Sequence, residues 1–197
     1  MRIGILGGTF DPPHVGHLLA ATDAFEALGL DRIVFIPAAE QPLKAGSVVA
    51  PAHDRLAMVG LAIEGDPRFT VDAVEIERGG LSYTVDTLRT LRQRWREERE
   101  LALFLLLGED VLATLPKWRE PHVLASLAEL AILTRAPRPR DAGTVEKERG
   151  PAGHAVQTRR VDVSSTEIRA RVRAGKSIRA FVPDAVEVYI AGHRLYR

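Results

Sequence analysis

Apolar and polar positions follow two rhythms along this chain, a short one that fits strands and a longer one that fits helices. Residues 2–6 alternate around Ile3 and Ile5 and end at Gly7-Gly8, which predicts a buried strand feeding a turn. Over 15–28 the apolar side chains of Leu18, Leu19, Ala21, Phe25 and Leu28 recur at helical spacing, and Gly29 is placed to end that helix. Residues 31–37 predict a second strand, 56–63 a second helix, 69–76 a strand region and 84–99 a third helix with Trp95 on its apolar side. The run 101–107 is nearly all apolar and stops at Gly108, the pattern of a central parallel strand covered on both faces, and 130–133 looks alike. The Pro-, Gly- and Arg-rich stretch 136–153 predicts an exposed loop. A strand-like piece at 155–163 and helices at about 165–174 and 184–191 follow it.

Strands alternating with helices imply an α/β chain, a Rossmann-like, doubly wound, mostly parallel sheet with helices on both faces. Its ligand crevice should lie at the carboxyl ends of the strands. With 197 residues and 46% hydrophobic content, the expectation is one domain, 1–197, with a C-terminal helical part from about 164. No stretch reaches the length of a membrane span, and the N-terminal residues run straight into a strand with no room for a leader, so a cytoplasmic location is expected. The absence of cysteine excludes disulfides, thiolate metal sites and cysteine nucleophiles. A net charge of +1 and 6% aromatic residues argue against nucleic acid as a partner, and the sequence leaves a homo-oligomer open.

Candidate chemistry begins after the first strand, at Gly7-Gly8-Thr9-Phe10-Asp11-Pro12-Pro13-His14-Val15-Gly16-His17. Two glycines let the backbone approach a phosphate, and the helix start adds amide donors and the positive end of a dipole. His14 and His17, three apart, share one face, and Gly16 between them leaves room for a ligand. The stretch lacks the Gly-Lys-Ser/Thr of a P-loop and the three-glycine spacing of a dinucleotide fingerprint, and it offers no third ligand for zinc. Near the other end, Ser164-Ser165-Thr166-Glu167-Ile168-Arg169 fits a helix capping box between Ser164 and Glu167. Its further hydroxyls and arginine could also bind phosphate.

Together these two stretches resemble the paired signatures of the nucleotidyltransferase superfamily that shares an HxGH motif with class I aminoacyl-tRNA synthetases. The resemblance implies adenylyl transfer, with His14, His17, Lys44 and Arg169 in catalytic roles and ATP bound by Gly7, Gly8, Thr9, Phe10, Gly16, Gly108, Asp110, Ser164, Ser165 and Thr166. Within that superfamily, Glu75-x-x-Arg78, Ser82-Tyr83-Thr84-Val85-Asp86-Thr87-Leu88, Gly108-Glu109-Asp110 and Lys117-Trp118 resemble the nicotinate-nucleotide adenylyltransferase family. Val182-Pro183 and Tyr189-Ile190 near the end match it too. This implies a nicotinate nucleotide site of Ser82, Tyr83, Thr84, Trp118 and Arg135, with Trp118 stacking on the pyridine ring.

The implied reaction joins ATP to nicotinate mononucleotide, a step of NAD (pyridine nucleotide) biosynthesis. Mg2+ is expected as the cofactor, held mainly by ATP, with no protein metal site. One departure is the loop Gln41-Pro42-Leu43-Lys44, where the family usually carries Pro-Pro-His-Lys. Lys44 keeps a cation there, while Leu43 removes a polar side chain. Acid and amide acceptors are separated only by the resemblance. Phosphopantetheine is disfavoured by the Ser-Tyr-Thr and Trp118 segments, and a nucleotide-binding module without turnover is disfavoured by the intact histidines.

Overall fold

The computed structural model describes residues 1–42, 48–136 and 153–197. Six strands form one sheet: β1 (Arg2–Gly8), β2 (Arg32–Pro37), β3 (Phe69–Val71), β4 (Ala102–Gly108), β5 (Glu129–Arg135) and β6 (His154–Thr158). All pairings are parallel, in the order β3-β2-β1-β4-β5-β6. The chain order reverses between β1 and β4, so the crevice of a doubly wound sheet opens at their carboxyl ends. Eight helices are described: α1 (Val15–Leu28), α2 (Ala52–Ile63), α3 (Val74–Arg78), α4 (Thr84–Arg94), α5 (Glu109–Leu112), α6 (Pro121–Leu127), α7 (Ser165–Arg173) and α8 (Asp184–Gly192).

The period of two in a strand sorts the core into two layers. Ile3, Ile5, Leu103, Leu105 and Leu107 join Val34 and Ile36 on one face, under Val85, Leu88 and Leu91 of α4 and Leu124 of α6. Phe104, Leu106, Ile33 and Phe35 face the other way, against Ala21, Ala24 and Leu28 of α1 and Val59 and Ile63 of α2. The continuous apolar run of β4 is therefore buried on both sides, and truncating its fully buried Phe104 to alanine would cost about 3–5 kcal/mol. A third cluster joins Met58 of α2 to Ile168 of α7, Val186 and Ile190 of α8, and Tyr196 beyond it.

Several boundaries differ from those the sequence predicts. The strand expected over 69–76 stops at Val71, because the Asp72 carboxylate accepts the Val74 N–H at 2.9 Å and starts α3. The last strand ends at Thr158 rather than 163, since the Arg159 N–H turns to the Asp23 carboxylate at 2.7 Å instead of continuing the ladder. The third helix ends at Arg94, five residues early, and the second begins at Ala52, right after Pro51. The short helices α5 and α6 carry too few residues for a periodic signal. Most of the stretch 136–153 lies outside the described residues.

Candidate functional site

The first loop leaves the sheet at the reversal point. Phe10 takes φ 51° and turns its ring under Gly8, where an added Cβ would meet that ring at 2.9 Å. The ring lies 5.1 Å from His17 and 5.8 Å from Phe35, and Phe10 is 3% exposed. Its side chain is thus core that supports His17 from below. Gly7 differs, because a Cβ there would meet nothing within 4 Å. Its surroundings are open, as close approach by a ligand requires.

His14 caps α1 and donates its backbone N–H to Nδ1 of His17 at 3.1 Å, and the two imidazoles stack with centroids 3.8 Å apart. Gly16 permits this, since a Cβ would stand 3.0 Å from the His14 ring. Burial, and then the nearby Arg135 charge, lower His14 to about 4. Burial holds His17 well below its ordinary value, with His14 and Arg135 adding to it. Both rings are neutral near pH 7, when each can offer one N–H. Arg135 ends β5, at the same carboxyl edge of the sheet from which the first loop leaves β1. The helix start offers fewer free amides than expected: the Val15 N–H is taken by the Phe181 carbonyl at 3.0 Å and the His17 N–H by His14 at 2.9 Å.

The second motif docks directly on this loop. Ser164 accepts the Glu167 N–H at 3.2 Å, so it caps α7. The Ser165 hydroxyl donates to the Pro12 carbonyl at 2.8 Å and Arg169 Nη1 to the Asp11 carbonyl at 2.8 Å, joining residues over 150 positions apart. Arg169 Nη2 reaches Thr166 Oγ1 at 3.3 Å. Among the described residues, the buried side-chain polar atoms without a hydrogen-bond partner are Thr9 Oγ1, His14 Nδ1 and Arg169 Nε. All three belong to the two motifs. Unpaired buried polar groups are costly, so their concentration in one place marks a functional site rather than a packing one.

Sequence reasoning missed Arg55. Its guanidinium, 1% exposed, donates to the carbonyls of Thr9 at 2.8 Å, Ala39 at 3.0 Å and Ala50 at 3.2 Å. One side chain thereby ties together the loops after β1 and β2 and the approach to α2. The available signal was a charged residue on the face of α2 that carries Met58 and Val59 at i+3 and i+4.

The second half of the site hangs from Ala39 as well. Its N–H donates to Ser82 Oγ at 2.9 Å, while the Ser82 N–H donates to the Glu40 carbonyl at 2.8 Å. Glu75, buried and raised chiefly by that burial, accepts Thr87 Oγ1 at 2.6 Å. The Ser82 hydroxyl, accepting the Ala39 N–H, braces the loop after β2. Tyr83 and Trp118 both pack, half-buried, on the edge of the α4 layer, and the Arg119 guanidinium stacks 4.9 Å from the Tyr83 ring. Thr84 opens α4. Gly108 ends β4, where a Cβ would come 2.5 Å from Asp110 Oδ1, so a side chain there would push the exposed Asp110 carboxylate aside. Lys44 lies outside the described residues.

A family model described as cytidylyltransferase-like matches residues 5–171, from β1 through most of α7. A probable nicotinate-nucleotide adenylyltransferase of Gemmatimonas aurantiaca is 53% identical over 100% of this chain and 93% of its own length. The chain belongs to the cytidylyltransferase-like family, in its nicotinate-nucleotide adenylyltransferase branch. A second relative of that name in this branch, from Herpetosiphon aurantiacus, is 45% identical over 99% of this chain and 98% of its own. Among solved structures, the nicotinic acid mononucleotide adenylyltransferase of Plasmodium falciparum complexed with NaAD superposes with a TM-score of 0.75. It covers 99% of this chain and 97% of that one at 18% identity, a likeness of fold.

Proposed function

We propose that this protein transfers the adenylyl group of ATP to nicotinate mononucleotide, giving nicotinate adenine dinucleotide and pyrophosphate, a step of NAD biosynthesis. Full-length relatives at 45–53% identity carry that activity in their names. The observation that carries the reading is the junction of the two motifs, where Arg169 and Ser165 bond the Asp11-Pro12 loop that leads to His14 and His17.

The acceptor's phosphate oxygen attacks the α-phosphorus of ATP in line, and the bond to the bridging oxygen of pyrophosphate breaks. The attacking phosphate is already ionised, so no protein nucleophile takes part. His14 and His17 donate N–H groups to the phosphate oxygens, Arg169 and Lys44 supply charge, and Gly7 and Gly8 let the triphosphate lie against the end of β1. Gly108 and Asp110 face the nucleotide from β4, with Ser164, Ser165 and Thr166 behind the phosphates. Catalysis is then positioning plus electrostatic stabilisation. Nicotinate mononucleotide lies toward Tyr83, Thr84 and Trp118, while Arg135, at the carboxyl end of β5, serves the phosphate at which the two substrates meet.

Among the described residues no group of three or more His, Asp or Glu is placed to hold a metal ion. In this proposal Mg2+ enters as part of the substrate, on the phosphates of ATP. No helix among the described residues is long and apolar enough to cross a membrane, and a cytoplasmic setting belongs to the same proposal.

Pyrophosphate release with ATP and magnesium, compared across nicotinate mononucleotide, nicotinamide mononucleotide and phosphopantetheine, tests the reading. A strong preference for the acid, lost in His17→Ala, is expected. Turnover with another acceptor only would overturn the acceptor assignment, and no turnover with any would overturn the enzymatic one.

A further inference from the structure

Tyr196 lies beyond α8, outside any helix or strand, yet it is 4% exposed. Its backbone holds φ 65°, the left-handed region that a bulky side chain enters against a steric cost. Such a conformation persists where surrounding contacts over-determine it. The ring packs in the third cluster, which would serve equally for phenylalanine. The hydroxyl does something else: it crosses to the first loop and donates to Asp11 Oδ1 at 2.8 Å. Burial and the adjacent carboxylate push the phenol far above its ordinary value, so it remains a donor at every working pH.

Asp11 is the point where the site's scaffolds meet. Its Oδ1 also accepts the Ala50 N–H at 3.1 Å, and its Oδ2 accepts the Val49 N–H at 2.9 Å. Arg169 Nη1 stands 3.8 Å from Oδ2 while donating to the carbonyl of the same residue. The carboxylate is thus held beside the Arg169 guanidinium without a direct hydrogen bond to it. Without the Tyr196 hydroxyl only two backbone N–H groups would hold the carboxylate, and it would turn further toward the guanidinium 3.8 Å away, because charge-assisted pairs are favoured over neutral ones. Arg169 would then spend its charge on Asp11 instead of on a phosphate.

We propose that Tyr196 is a positioning residue for adenylyl transfer, which anchors Asp11 so that Arg169 and the loop leading to His14 stay directed at the ATP phosphates. The proposal rests on the adenylyltransferase reading. It separates the two substrates, because Tyr83 and Trp118 pack in a different cluster from Tyr196.

Tyr196→Phe keeps the ring and removes the hydroxyl. With ATP, magnesium and nicotinate mononucleotide, the expected result is about a tenfold rise in KM for ATP, the size of one charge-linked hydrogen bond. The KM for the acceptor should stay within about twofold, and thermal unfolding should remain a single transition. The double variant Asp11→Asn, Tyr196→Phe should recover part of the ATP affinity, since asparagine cannot neutralise Arg169, whereas a purely structural role predicts a further loss. Unchanged KM for ATP in Tyr196→Phe, or a parallel rise for both substrates, would overturn the proposal. If the unsubstituted protein shows no turnover, the failure belongs to the adenylyltransferase reading. Calorimetric binding of a non-hydrolysable ATP analogue then decides on Tyr196: tenfold weaker binding supports its role, and equal affinity or no binding by either protein rejects it.

Discussion

His14 and His17 stack face to face with ring centroids 3.8 Å apart, and burial keeps both neutral near pH 7. A stacked pair of this kind resists protonation, since a proton on one ring raises the cost of a proton on the other. The depressed values give stability a definite pH dependence. Below about 6.5 the unfolded chain binds a proton that folded His14 refuses until about 4, so the unfolded state is stabilised relative to the folded one as pH falls. Stability should be full above pH 6.5 and drop by about 3 kcal/mol from His14 alone by pH 4. Urea unfolding at pH 7.5, 5.5 and 4.5 checks the sign. In His14→Gln the decline over that window should shrink, and an equal decline would show that other groups cause it.

Gly16 and Gly7 separate a protein requirement from a ligand requirement. A methyl group at Gly16 would press on the His14 ring at 3.0 Å, whereas one at Gly7 would meet no protein atom within 4 Å. Gly16→Ala should displace the imidazole and lower kcat by about 10²-fold, the effect of misaligning one stabilising donor. Gly7→Ala should leave the melting temperature within about a degree or two, as an unstrained change at an open position does, and raise KM for ATP. Thermal melts and steady-state kinetics on the two variants decide the matter. A Gly7→Ala enzyme with unaltered KM would remove ATP from the end of β1.

Arg55 carries more of the site's architecture than any residue the sequence singled out. Replacing it with leucine leaves the carbonyls of Thr9, Ala39 and Ala50 without that donor in a buried setting. At roughly 1–3 kcal/mol for each orphaned group, the loss of stability should be about 3 kcal/mol or more. Arg55→Lys should recover only part, because an ammonium cannot reproduce the planar fork that reaches three loops. Denaturant midpoints of the two variants test this, and a leucine variant as stable as the parent would contradict the role.

The sheet and the two candidate phosphate-binding stretches were legible because each is encoded locally. β4 announces itself by an unbroken apolar run, and His14-Val15-Gly16-His17 and 164–169 are contiguous strings at helix starts. What escaped is encoded at long range. Tyr196 meets Asp11 across 185 residues, and Arg55 meets Thr9 across 46, so no periodicity within a window connects them. The packing of Phe10 was not legible either: it sits inside the first motif, and its positive φ turns the ring into the core. Ser82 belongs to a segment that resembles an acceptor pocket, and its hydroxyl accepts the Ala39 N–H across 43 residues.

Ser82 and Trp118 should therefore fail in different ways. Removing the Ser82 hydroxyl leaves the Ala39 N–H unpaired, so Ser82→Ala should destabilise by about 1–3 kcal/mol. Because Ala39 also holds Arg55, the kinetic effect should fall on both substrates. Trp118 packs only at the edge of its cluster. Its loss to alanine should cost little stability, yet it removes a flat aromatic surface on which the electron-poor pyridine ring can stack. Trp118→Ala should raise KM for nicotinate mononucleotide by about tenfold, equivalent to ~1.4 kcal/mol, with KM for ATP unchanged. A rise confined to ATP would move the acceptor away from Trp118 and reverse the assignment of the two halves of the site.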